Sequence, residues 1–138
     1  MDPKTVLLVD DNVADLEMTQ LAFVQSGIEA RFVTAGDGIQ ALELLAKGLR
    51  PDLIVLDMYL PLVNGADTLA RIKGDPAYSG IPTVIFTSSD QQCHRNDCED
   101  LRANDYLIKP VSWDEFVQTI ATLSRFLSPS EIVDIPSN

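Results

Sequence analysis

The sequence predicts an α/β domain built on a parallel sheet with helices on both faces. Short, nearly continuous runs of Val, Ile and Leu recur along the chain, as strands buried on both sides of a parallel sheet require. Longer stretches of helical period separate these runs. Strand and helix alternate five times within about 127 residues, which is the rhythm of successive βα units.

In chain order, the first strand is expected over 6–9 and a helix over 13–25, where Leu16, Thr19 or Gln20, and Phe23 share a side and Gly27 supplies the stop. Residues 30–34 form a weaker run carrying Arg31, which suits an edge strand. Ile39, Leu42, Leu45 and Ala46 set a helix over 39–47, closed by Gly48. A third strand follows at 53–56. The helix over 66–73 turns on Leu69 and Ile72 and ends at the Gly74-Asp75-Pro76 breaker. The fourth strand is 83–86, and the mostly polar segment 93–103 reads as a helix. A short fifth strand, 106–108, stops at Lys109-Pro110. Ser112 with Glu115 three residues on forms a capping box for a last helix running to Leu127.

The 138 residues suit one core, with 1–127 as the domain and 128–138, carrying two prolines, as a C-terminal tail with no output domain. Asp plus Glu number 21 against 10 Lys plus Arg, a formal net charge of −11. That excess argues against nucleic acid and against an anionic membrane surface, both of which call for a basic patch. No apolar stretch has the roughly 20 residues needed to cross a bilayer, and the N-terminus lacks a signal-peptide pattern. The two cysteines, Cys93 and Cys98, lie in a polar segment and read as free thiols, which suits the cytoplasm. Their five-residue spacing does not put them on one helix face for a metal with His94.

The chemistry lies where polar residues meet strand ends. Asp10 and Asp11 follow the first strand, Asp57 the third, Thr87 the fourth and Lys109 the fifth. In an open parallel sheet, ligands bind outside the carboxyl ends of the strands. Three carboxylates gathered there raise one another's pKa unless a cation compensates, and a hard divalent ion such as Mg²⁺ suits them. With Lys109 and Thr87 the pocket fits a phosphoryl group, and one carboxylate could act as nucleophile. Other phosphate and hydrolase machinery is missing: there is no P-loop, G-x-S-x-G, H-E-x-x-H or G-x-G-x-x-G. A phosphatase with an Asp nucleophile would need D-x-D after the first strand, where Asp10-Asp11-Asn12 stands instead.

Four motifs in order resemble the receiver domain of two-component response regulators. They are Val9-Asp10-Asp11-Asn12, Asp57-Met58-x-Leu60-Pro61-x-x-x-Gly65, Thr87-Ser88 and Asp105-Tyr106-Leu107-x-Lys109-Pro110. The resemblance implies a flavodoxin-like (βα)5 fold with strand order 2-1-3-4-5. It implies that Asp57 is the phospho-acceptor for a sensor histidine kinase. Asp11, Asp57 and the Met58 carbonyl, assisted by Asp10, would hold Mg²⁺ or Mn²⁺. Thr87 and Lys109 would contact the phosphoryl group, and Tyr106 would be the aromatic switch coupled to Thr87. Pro110 would position Lys109 through a cis peptide. Tyr59 and Ser89, two residues past Asp57 and Thr87, occupy positions that tune phosphate lifetime. Arg102 departs from the family, which commonly has Gly there.

The Asp10-Asp11-Asn12-x-x-Asp15 opening also resembles the stand-alone regulators of phytochrome-like sensor kinases. The implied output is control of a downstream protein or homodimerisation through the last helix, whose apolar residues wrap more than one face. A phosphotransfer intermediate serving a second histidine, or a receiver-like scaffold that is never phosphorylated, are the alternatives. The scaffold would be expected to have lost the acidic pair, the acceptor or the lysine, and all are present.

Overall fold

Alternate residues of the strands sort to opposite faces, and that sorting builds two cores. The computed structural model describes residues 3–127. Its elements are β1 (Lys4–Val9), α1 (Val13–Gln25), β2 (Ala30–Ala35), α2 (Gly38–Ala46), β3 (Leu53–Leu56), α3 (Gly65–Gly74), β4 (Thr83–Thr87), α4 (Gln92–Asp100), β5 (Asp105–Ile108) and α5 (Trp113–Ala121), followed by a 3₁₀ turn over Thr122–Phe126. The sheet runs β2-β1-β3-β4-β5 with every neighbouring pair parallel, so the expected order holds and β2 lies at an edge.

On one face Leu7, Val9, Ile54, Leu56 and Ile85 pack against buried side chains of α2, α3 and α4, among them Leu45, Leu69 and Ile72. On the other, Val6, Leu8, Val55, Val84 and Phe86 meet Phe23 of α1 and Phe116 and Ile120 of α5. Each fully buried Leu, Ile or Phe contributes about 1.5–3 kcal/mol, which is what holds helices this short. Because β1, β3 and β4 are buried on both faces, their sequences carry no polar alternation.

Side-chain caps set four helix starts. Asn12, Asp37, Asn64 and Ser112 each accept from the backbone N–H three residues on. At α5 the Glu115 carboxylate accepts from the Ser112 hydroxyl. Two helix ends differ from the sequence reading. α4 stops at Asp100, and Arg102 then takes a left-handed backbone with φ of 70°. A side chain there costs about 1 kcal/mol relative to Gly, the residue the family pattern prefers. α5 tightens into the 3₁₀ turn at Thr122, whose hydroxyl donates to the Thr119 carbonyl at 2.6 Å.

The apolar residues of the last helix are used within the chain. Phe116, Ile120 and Leu123 are buried, and half-buried Trp113 stacks on Phe116 while its indole N–H donates to Gln25. The expected tail, 128–138, lies outside the described residues.

Candidate functional site at the carboxyl edge of the sheet

Register brings the strand-end residues together. Val9 pairs with Leu56, so Asp10 and Asp57 leave adjacent strands side by side, and the Asp57 N–H donates to the Val9 carbonyl at 3.0 Å. Thr87 pairs with Ile108, and the Lys109 N–H donates to the Thr87 carbonyl at 2.7 Å. One row across β1, β3, β4 and β5 thus carries two carboxylates, a hydroxyl and an ammonium.

Asp57 is buried and held at both oxygens. Its Oδ1 accepts from the Thr87 hydroxyl at 2.6 Å and from the Tyr59 N–H at 3.1 Å, while Oδ2 accepts from Lys109 at 2.9 Å. The start of α3 packs directly against this loop. A Cβ on Gly65 would lie 2.3 Å from the Asp57 carbonyl oxygen and 2.6 Å from the Met58 Cα. The last motif position of Asp57-Met58-x-Leu60-Pro61-x-x-x-Gly65 is therefore a packing requirement.

Lys109 stands among three carboxylates: Asp10 at 2.7 Å, Asp15 at 2.8 Å and Asp57 at 2.9 Å. Burial works against its charge, but the carboxylates outweigh burial and hold the ammonium well above its ordinary range. Burial raises the Asp10 carboxyl above its usual value, against the lowering by the Lys109 ammonium and the Asn12 N–H. Asp11 is exposed at the mouth. Among the described residues, Asp10, Asp11 and Asp57 do not close on one another as a three-ligand cluster; the ammonium lies between Asp10 and Asp57 instead. The Met58 carbonyl accepts from the Gly65 N–H at 3.0 Å, which leaves one lone pair.

A hydrogen-bonded path leads from Asp57 toward α4 and β5. The Ser89 N–H donates to Thr87 Oγ1 at 3.3 Å, and the Ser89 carbonyl accepts from the Tyr106 hydroxyl at 2.8 Å. Half-buried Tyr106 has the Arg95 guanidinium 4.9 Å from its ring centre. Buried Ser89 also pairs with His94 Nδ1 at 2.5 Å, and His94 meets the Tyr59 ring edge-on at 5.9 Å. No cis peptide occurs among the described residues, so Lys109–Pro110 is trans, where the resemblance implies cis. The two isomers of an X–Pro bond differ by only about 0.5–1 kcal/mol, a margin that local packing decides. The Pro110 ring still restricts the Lys109 backbone.

Sequence reading missed Asp15 and His94. For Asp15 a signal was present: it sits three residues after the helix cap Asn12, in the turn that faces back to the strand ends. His94 had none, because its neighbours are all polar. Cys93 and Cys98 are free, one exposed and one buried.

The family model for the response regulator receiver domain matches residues 6–121. The chain belongs to that family. This receiver is 31% identical over 130 residues to the response regulator Rcp1 of Synechocystis sp., covering 90% of the chain and 88% of Rcp1. The Mn²⁺-bound form of Rcp1 superposes with a TM-score of 0.82 at 31% identity, covering 90% of this chain and 94% of that one. The phosphorylated cyanobacterial phytochrome response regulator RcpA gives 0.84 at 33% identity, covering 91% and 94%. The receiver also matches response regulator MprA of Mycobacterium sp. at 32% over 137 residues, which is 98% of this chain but 56% of MprA. Among its described residues, no helix is long and apolar enough to cross a membrane.

Proposed function

We propose that this receiver accepts a phosphoryl group on Asp57 from a sensor histidine kinase in the cytoplasm. The observation that carries the reading is the buried Asp57 carboxylate, fixed between the Thr87 hydroxyl and the Lys109 ammonium at an open strand edge. An Asp57 oxygen forms a bond to phosphorus as the donor's N–P bond breaks and the electron pair returns to the imidazole. Lys109 and Thr87 donate to the phosphoryl oxygens as charge builds there. Attack by water then restores the carboxylate and releases inorganic phosphate.

The donor set suits a divalent ion: oxygen ligands only, and four carboxylates, Asp10, Asp11, Asp15 and Asp57, against one ammonium. Asp11, Asp57 and the Met58 carbonyl, with Asp10, would hold Mg²⁺ or Mn²⁺; when bound, the ion would neutralise carboxylate and phosphoryl charge. The Mn²⁺-bound Rcp1 neighbour supports a divalent ion in a receiver of this fold. The phytochrome response regulator RcpA supports a phytochrome-like kinase as the donor.

The output runs from Thr87 through Ser89 to Tyr106, so binding of a downstream protein, or handover to a second histidine, responds to the state of Asp57. For a homodimer, α5 and the turn after it offer half-buried Trp113, Val117 and Phe126, all packed against the chain's own core, which favours a different partner.

The test is intact mass after incubation with Mg²⁺ and acetyl phosphate. The wild type gains one phosphoryl group and Asp57→Asn gains none; labelling of the variant would defeat the assignment. Tyr59, half-exposed beside the acceptor, screens it from water together with His94. Tyr59→Ala is expected to shorten the acyl phosphate lifetime roughly threefold, followed by inorganic phosphate release. An unchanged half-life would remove Tyr59 from the role.

A further inference from the structure

Lys109 has three N–H donors, and three carboxylate oxygens occupy them. If Lys109 is to bind a phosphoryl oxygen, as the reading above requires, one carboxylate must let go. The three are not equal. The side chains of Asp10 and Asp57 are 10% and 8% exposed, and that of Asp15 is 29% exposed. Without a divalent ion beside it, releasing Asp10 would leave a buried charge uncompensated, a costly outcome. Asp57 is the acceptor itself. Asp15 sits on the first turn of α1, where its carboxylate can rotate into water while its own N–H stays bonded to Asn12 Oδ1 at 3.1 Å. Its release breaks a partly exposed ion pair, which is cheap.

We propose that Asp15 is a releasable counter-ion for Lys109: it occupies the ammonium in the resting protein and competes with the phosphoryl group for it. Asp15 is thus a positioning residue acting through Lys109. It sets both how readily an anionic phosphodonor is accepted and how long the acyl phosphate survives. With Asp15 neutralised, Lys109 has a donor free for the phosphoryl oxygen, and an anionic donor meets one fewer carboxylate.

The experiment compares wild type, Asp15→Asn, Asp15→Glu and Glu17→Gln in acetyl phosphate labelling and in decay of the label, at fixed ionic strength and saturating Mg²⁺. Glu17 is exposed on the same helix, so its variant removes an equal charge without appearing in the Lys109 ion pairs. Asp15→Asn is expected to label about 2- to 5-fold faster and to lose the label more slowly by a similar factor. Asp15→Glu should lie closer to wild type, and Glu17→Gln should match it. A gain in both directions is not what damaged packing produces. Equal effects of Asp15→Asn and Glu17→Gln, or no effect of Asp15→Asn, would overturn the assignment while leaving Asp57 as acceptor. Failure of the wild type to label would instead defeat the reading on which it rests.

Discussion

Gly65→Ala is expected to destabilise the domain by about 2–3 kcal/mol and to depress phosphorylation at the same time. The added Cβ would meet backbone on both sides, the Asp57 carbonyl oxygen at 2.3 Å and the Met58 Cα at 2.6 Å. Neither contact can be relieved by a rotamer change. α3 must withdraw from the end of β3, which stretches the Gly65 N–H to Met58 carbonyl bond, or the loop carrying Asp57 must move. Either response disturbs the aspartate that Thr87 and Lys109 hold. Urea unfolding gives the first effect as a lower midpoint, and acetyl phosphate labelling gives the second. A variant with wild-type midpoint and wild-type labelling would show that the close approach of α3 is not needed.

Lys109→Met is expected to cost more, about 3–5 kcal/mol near neutral pH, because it leaves Asp10 and Asp57 nearly buried with no cation. The pH dependence has a definite sign. Lys109 is held above its ordinary 10.5, so its stabilising contribution is complete below about that value and is lost only as the pH rises further. Asp10 is already raised by burial, so between its unfolded and folded values the native state binds more protons, and stability falls as pH rises through that interval. Without the ammonium that rise is larger. The deficit of Lys109→Met relative to wild type should therefore be greatest near neutral pH and shrink as acid protonates Asp10. Urea midpoints at about pH 7 and about pH 5 test this. A deficit that is constant or grows in acid would contradict the charge balance described here.

The fold was legible because it rests on features that single residues report. The buried runs around Leu7, Ile54 and Ile85 read as strands covered on both faces, and the Ser112 cap marks a helix start locally. The site was legible for a related reason: Asp10, Asp57 and Lys109 each follow a strand and Thr87 ends one, and a parallel sheet delivers such residues to one edge. What the sequence did not show depends on where side chains reach across the chain. Asp15 meets Lys109 over a separation of 94 residues; its place after the Asn12 cap marks the turn it sits on, but not the partner it reaches. His94 reaches Ser89 from α4, a helix too polar for its apolar stripe to point at anything. The end of α5 and the trans Lys109–Pro110 peptide turn on local energies of about 1 kcal/mol, too small for residue type to decide.

The central claim is that a phosphoryl group is carried as an acyl phosphate on Asp57. Treating freshly phosphorylated protein with borohydride reduces an acyl phosphate to the alcohol, so the modified aspartate becomes homoserine. Peptide mass mapping then locates it. The structure predicts homoserine at position 57 alone, dependent on the phosphodonor. Homoserine at Asp10, Asp11 or Asp15, or a phosphoryl group that borohydride does not remove, would contradict it.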